Sequence, residues 1–282
     1  MDDLKCGYLG PAGTFTEKAC LQYYGDKAQL VPLKSINNIF DKLHSGILQR
    51  GIIPVENSLE GPINQSLDLL FTNSLVTIIG EVIVPIRHFL MAADGVKIKD
   101  INKLYSHTQI IGQSSRFINK YLSDVEIIFT GSSAQAAEIV INKKDKAMIG
   151  PERISMLYDL NILKGNIQDN NNNYTRFFVV ANKLDINNKT PEFKKDYKTS
   201  IICAPKINES GALYNILGEF AREDVNLTRI ESRPTKRQLG EYLFYIDFEG
   251  HHADENIKRT LNNVEKRSSF YKLLGSYQKA KI

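Results

Sequence analysis

Cysteine is scarce: Cys6, Cys20 and Cys203 stand far apart, without paired spacing or a neighbouring set of histidines. That scatter argues against a disulfide framework or a structural zinc site, and the three thiols are expected to be reduced packing residues. Long apolar runs are missing as well. Even Leu75 to Pro85 is broken by Thr77 and Glu81, and no run reaches the roughly 18 to 20 residues of a bilayer-spanning helix. Met1 to Lys5 carry no charged leader, apolar h-region or small-residue cleavage site, so a cytoplasmic protein without a membrane partner is expected. The net charge of +4 is spread along the chain. It forms no dense basic stripe interleaved with aromatics, and no helix-turn-helix pattern precedes Leu4, which together speak against nucleic acid as a partner.

What remains is ordinary for a folded protein: 282 residues, 42% hydrophobic and 24% charged, enough for about two domains with cores of their own. Strand-like segments at 6–9, 30–33, 51–55, 126–130 and 146–149 alternate with helix-period segments. Ile36, Ile39, Phe40 and Leu43 follow the i, i+3, i+4, i+7 spacing of a one-faced helix, with Ser35 as N-cap. Such alternation predicts an α/β fold with parallel sheet. The nearly continuous strand character of 75–92 interrupts it and predicts a crossing to a second lobe, hence a cleft where ligands bind. A lysine- and asparagine-rich stretch with Pro191 predicts a linker over 184–198, dividing a domain at 1–183 from one at 199–282. In the second, strands at 200–204, 227–233, 242–249 and 271–277 and helices at 211–223 and 254–266 make a βαββαβ order. Leu213, Ile216, Leu217 and Phe220 line one helix, and Ile257, Leu261 and Val264 the other.

Three motifs could carry chemistry. Gly10-Pro11-Ala12-Gly13-Thr14-Phe15-Thr16-Glu17 follows a strand, and Thr14 with Glu17 fits a capping box. It lacks the lysine of a phosphate loop, and a plain strand-to-helix turn explains it locally. Pro54-Val55-Glu56-Asn57-Ser58-Leu59-Glu60-Gly61-Pro62 ends a strand with a carboxylate, an amide and a hydroxyl that could orient a polar substrate, or serve equally as turn and cap residues near a helix beginning at Ile63. Asn170 to Asn173 lead into Tyr174, Thr175, Arg176 and a strand from Phe177 to Ala181, where Arg176 offers a fork of donors suited to a carboxylate and Thr175 a hydroxyl. Locally, a strand-edge arginine bound to a structural acid accounts for it too. Of the histidines, His107 follows a strand, His88 reads as a packing residue, and His251 and His252 lack the spacing of a helical metal pair. No G-x-S-x-G elbow is present.

In order and spacing these segments resemble the prephenate dehydratase family: G-P-x-G-T-F-T, P-V-E-N-S, S-H-x-Q, the Ser132-Ser133-Ala134-Gln135-Ala136-Ala137 helix start and N-N-x-T-R-F. The likeness covers about residues 5 to 181. Thr108 and Ser133 depart from it, at positions where that family usually has proline and threonine. The resemblance implies two α/β lobes like those of periplasmic binding proteins. The tail resembles an ACT domain of the phenylalanine-sensing kind through Gly211-Ala212-Leu213, Asn226-Leu227-Thr228 and Glu231-Ser232-Arg233-Pro234. By that likeness Gly211, Ala212, Leu213, Asn226, Leu227, Glu231, Ser232, Arg233 and Pro234 form an allosteric phenylalanine site, held in a homodimer or homotetramer through paired ACT domains.

The activity so implied is decarboxylating dehydration of prephenate to phenylpyruvate in phenylalanine biosynthesis, with no metal, redox change or covalent carrier and hence no cofactor. Thr175, Arg176, Phe177 and Glu56 are the expected catalytic residues. Arg176 would hold the side-chain carboxylate, Thr175 would donate toward the leaving hydroxyl, Phe177 would add an apolar wall, and Glu56 or His107 would supply the proton. Thr14, Thr16, Asn57, Ser58, His107 and Asn173 would complete the substrate site. Rival readings are an arogenate dehydratase and a non-catalytic amino-acid-sensing binding protein. No chorismate mutase segment fits ahead of the first strand.

Overall fold

The computed structural model describes residues 4–185, 196–207, 209–236 and 240–281. Of the linker expected over 184–198, residues 186–195 lie outside the described residues. The chain divides into two compact units, one of residues 1–39, 52–63 and 83–177, the other of 40–51, 64–82 and 178–282.

The chain begins with β1 (Lys5–Leu9), α1 (Phe15–Tyr24), β2 (Gln29–Leu33), α2 (Ile36–His44), β3 (Arg50–Asn57) and the two-residue β4 (Gly61–Pro62). It continues through α3 (Asn64–Thr72), β5 (Val76–Pro85), β6 (Phe89–Ala92), β7 (Lys103–Ser106), α4 (Thr108–Gly112), α5 (Ser115–Tyr121) and β8 (Glu126–Phe129). Then come α6 (Ser133–Val140), β9 (Lys146–Gly150), α7 (Arg153–Tyr158), β10 (Asn161–Lys164) and β11 (Tyr174–Asn182). The last segment holds β12 (Tyr197–Pro205), α8 (Ala212–Arg222), β13 (Leu227–Pro234), β14 (Tyr242–Glu249), α9 (Glu255–Arg267) and β15 (Ser268–Gln278). Ser35 caps α2 as expected, its Oγ accepting from the Asn38 amide at 3.2 Å.

One sheet runs β2-β1-β3-β11-β5, a second β10-β6-β9-β7-β8, and a third β13-β14-β12-β15. Parallel pairing holds for β1 with β2 and for β7 with β8 and β9. It fails for β6, which is antiparallel to both β9 and β10. Residues 86–88 alone separate β5 of the first sheet from β6 of the second.

In the first unit, alternation along the second sheet sends Leu90, Leu104 and Ile149 to one core with Ile110 and Ile118, and Met91, Tyr105 and Met148 to another with Ala136, Val140 and Ile154. The helix start before α1 differs from a capping box. Thr14 Oγ accepts from the Glu17 amide, but the Glu17 carboxylate reaches past Thr14 to the Gly13 amide at 2.7 Å and also holds Arg153 Nε at 3.1 Å. Gly13 has φ +87°, and a Cβ there would lie 2.3 Å from Ile154 Cδ1. Only glycine fits that backbone.

In the second unit, Ile201, Cys203, Ile246 and Phe248 pack against Ile216 and Phe220 of α8 and Ile257, Leu261 and Val264 of α9, each such burial worth about 1.5–3 kcal/mol. Other side chains of the third sheet hold α3. Tyr245 donates to the Leu67 carbonyl at 2.9 Å, Arg233 and Lys236 bind the Asp68 carboxylate at 2.8 and 2.6 Å, and Lys272 Nζ donates to the Leu70 and Asn73 carbonyls. The terminal carbonyls of α3 thus gain a cation where the helix dipole favours one. No helix among the described residues is long and apolar enough to cross a membrane.

Candidate active site

β3 ends at Asn57, whose Oδ1 accepts the Leu59 and Glu60 amides at 2.9 and 3.1 Å, an Asx turn that bends the chain away from the strand. Two obligatory donors on Oδ1 fix the orientation of the amide. Its Nδ2 therefore donates, to Asn173 Oδ1 at 2.8 Å, to the Tyr174 carbonyl at 3.2 Å and to Thr175 Oγ at 3.0 Å. Beside it Ser58 makes a reciprocal pair with β11: its Oγ donates to the Asn172 carbonyl and accepts from the Tyr174 amide, while its own amide donates to the Tyr174 carbonyl. Asn57 is thus a turn residue, and both it and Ser58 are also tied to residues 172–175 at the start of β11.

Thr175 and Asn173 are nearly buried, at 8% and 1% exposure. Arg176 follows Thr175 on β11, and its guanidinium lies 4.0 Å from Glu56, at the outer limit of an ion pair. Phe177, 1% exposed, belongs to the core. Any apolar wall it makes stands behind Thr175. Thr14 and His107 serve as helix caps, His107 Nδ1 accepting the Gln109 amide at 3.3 Å, and Thr16 is buried in the first turns of α1.

A residue that the motifs did not single out links this group. Gln113 Oε1 accepts from Asn173 Nδ2 at 3.1 Å and faces His88 Nε2 at 2.9 Å, and its Nε2 donates to Glu60 at 2.8 Å. His88, read from sequence as packing, is 1% exposed, and burial lowers its pKa against the opposing effect of the Gln113 bond. Gln113 lies just past the S-H-x-Q segment and is a plain polar residue in sequence. Its partners come from 25 to 60 positions away, a kind of contact that no local pattern encodes. Among the described residues, no group of three or more His, Cys, Asp or Glu is placed to hold a metal ion.

A family model described as prephenate dehydratase matches residues 6–185, and an ACT domain model matches 207–266. The chain belongs to the prephenate dehydratase family. A prephenate dehydratase of Methanocaldococcus jannaschii is 38% identical over 275 residues, covering 96% of each chain. A bifunctional chorismate mutase/prephenate dehydratase of Aquifex aeolicus is 38% identical over 98% of this chain and 74% of its own length. The crystal structure of a prephenate dehydratase from Arthrobacter aurescens in complex with L-Phe aligns with a TM-score of 0.87 at 33% identity, over 98% of this chain and 90% of that one.

In the second unit a cavity of about 700 Å³ is lined mostly by residues of the C-terminal segment, with Phe71 of α3. Gly211, Ala212 and Leu213 line it. Opposite stand Tyr242 and Phe244 of β14, with Phe71 and Phe270 stacked edge to face at 5.1 Å. Gly211 precedes α8 at φ +84°, the Ala212 amide donates to the Glu209 carbonyl at 3.1 Å, and no side chain among the described residues caps the helix, which leaves the next first-turn amides to face an anion. Of the other expected phenylalanine contacts, Leu227, Glu231, Ser232, Arg233 and Pro234 lie on β13, which pairs with β14, and Thr235 directly after them lines the cavity. Arg233 is engaged by Asp68, and Asn226 Nδ2 by Glu249 at 3.2 Å.

Proposed function

We propose that this chain converts prephenate to phenylpyruvate, carbon dioxide and water, acting as a carbon–oxygen lyase, and that phenylalanine inhibits it through the ACT domain. The observation that carries the reading is the Asn57 amide on the Thr175 hydroxyl. With one lone pair of Oγ taken by an N–H donor, the hydroxyl proton is left to point at a ligand.

In the reaction the bond from the ring to its carboxylate breaks and its electron pair enters the ring. The ring C–O bond breaks in concert, and the departing hydroxyl takes a proton and leaves as water. Aromatisation drives both events, and the protein's task is to orient the dianion and assist the leaving group. Thr175 donates to that hydroxyl. An aliphatic alcohol is a weak acid, so Thr175 works as a positioned donor, and Glu56 or His107 is the ultimate source of the proton. Glu56, with a side chain 38% exposed, has access to solvent for reprotonation. Arg176 supplies the counter-charge for the side-chain carboxylate, while Asn57, Ser58, Asn173, Thr14 and Thr16 shape the polar lining.

On this reading residues 1–183 form the catalytic domain, 184–198 a linker and 199–282 the regulatory domain, in a cytoplasmic enzyme that pairs through its ACT domains. Phenylalanine places its carboxylate at the start of α8 and its ring among Phe71, Tyr242 and Phe270. It inhibits by favouring a low-activity state, to which it binds more tightly. Phenylpyruvate formation from prephenate, followed with and without phenylalanine, tests both halves: turnover with sigmoidal inhibition is expected. Absence of phenylpyruvate would instead favour a binding protein.

A further inference from the structure

The Asn57 to Gln113 amide chain has a definite polarity. At one end, backbone N–H groups fix Asn57 Oδ1; at the other, the Glu60 carboxylate, an acceptor, fixes Gln113 Nε2. Asn173 fits between in one orientation only, Oδ1 toward Asn57 and Nδ2 toward Gln113. The Gln113 atom facing His88 is therefore oxygen, and His88 Nε2, 2.9 Å from it, has to carry a proton. Its Nδ1 is buried and has no hydrogen-bond partner among the described residues.

We propose that His88 is a positioning residue for the reaction: as the neutral Nε2–H tautomer it anchors Gln113, and through Asn173 and Asn57 it keeps the Thr175 hydroxyl turned toward substrate. The inference rests on the role given to Thr175 above. The ring is set for this task from several sides. The His88 amide donates to Gln168 Oε1 at 3.0 Å, its carbonyl accepts the Ile167 amide, and Phe15 of α1 meets its ring edge to face at 6.0 Å. Gln168 is itself held by Asn171 Oδ1 at 2.7 Å, and neighbouring Arg87 turns to the Ile86 carbonyl and the Tyr174 ring. The Nδ1–H tautomer would set a lone pair against the Gln113 oxygen. Relief of that repulsion requires Gln113 to flip, which costs Asn173 its acceptor.

Two readouts on the full-length chain test this. In protein with 15N-labelled histidine, long-range 15N–1H spectra at neutral pH report the tautomer, and the signal lost in His88→Gln identifies His88. A protonated Nε2 with an unprotonated Nδ1 is expected; the opposite tautomer or an imidazolium would overturn the proposal. In kinetics with prephenate, His88→Phe keeps bulk without the donor, whereas His88→Gln restores an N–H near the Nε2 position. His88→Phe should lower kcat about tenfold, the scale of one lost hydrogen bond, with KM changed less than about threefold, and His88→Gln should recover most of that loss. Equal kcat in wild type and His88→Phe, or equal loss in both variants, would refute it. Should His88→Phe fail to fold, the tautomer still decides. An inactive wild type would sink the proposed function itself, a result separate from any of these.

Discussion

Asn57 commits every polar atom of its side chain, Oδ1 to two amides and Nδ2 to three acceptors around Thr175. Asn57→Asp keeps the shape but removes the donor. The Thr175 hydroxyl would then turn to the new carboxylate and be lost to the substrate. We predict a fall in kcat on the order of 10²-fold with little change in the circular dichroism spectrum; near-wild-type kcat would show that the amide does not orient Thr175. For Arg176→Lys a rise in KM larger than the fall in kcat is expected, because a point charge does not reproduce a bidentate fork. His88 adds a pH effect on stability. Its folded pKa lies below the ordinary value near 6.5, so the unfolded chain binds more protons, and stability falls as pH drops through 6.5 toward the lowered folded value. Denaturant titrations at a series of pH values should show that slope diminished in His88→Gln.

The elements in the sequence stood out wherever one face is apolar, as in α2, α8, α9 and the strands of the third sheet. Less legible was what holds α3, because Asp68, Arg233, Tyr245 and Lys272 are far apart in sequence and ordinary when read singly. Burial raises the Asp68 pKa, but the Lys236 and Arg233 contacts outweigh it and hold the carboxyl below its usual range. The stability this brings is present above the unfolded value near 4 and lost as pH falls through the lower folded one. Asp68→Asn should flatten the acid limb of a thermal-melting profile between about pH 5 and 3; an unchanged limb would deny α3 this anchor. At Gly275, φ is +148° and a Cβ would stand 2.1 Å from the Ile78 carbonyl oxygen. Gly275→Ala should therefore destabilise by several kcal/mol, on the order of 3 or more, measured by urea unfolding against wild type.

For the whole molecule, the family segments and the compact units divide the chain differently. The dehydratase segment ends at 185, yet residues 64–82 pack in one unit with 178–282. A chain cut at 198 would strip α3 of Tyr245, Arg233 and Lys272, so it should lose protection of 64–82 in hydrogen exchange along with its regulation. Point changes in the ACT cavity test sensing more cleanly. Ala212→Glu sets a like charge where the phenylalanine carboxylate would lie, and calorimetry should show binding weakened at least about tenfold, the scale of one unfavourable charge contact. Sequence pattern was enough for the βαββαβ tail and for the packing of His88. It missed the antiparallel β6 and the hydrogen bonds that join Gln113 to His88, Glu60 and Asn173 across tens of residues. The central claim is that Thr175 donates to the leaving hydroxyl, and steady-state turnover of prephenate by wild type, Thr175→Ser and Thr175→Ala tests it most directly. Serine should retain kcat to within about tenfold and alanine should lose on the order of 10²-fold or more, all three proteins being folded; equal activity in the serine and alanine variants would remove Thr175 from the reaction.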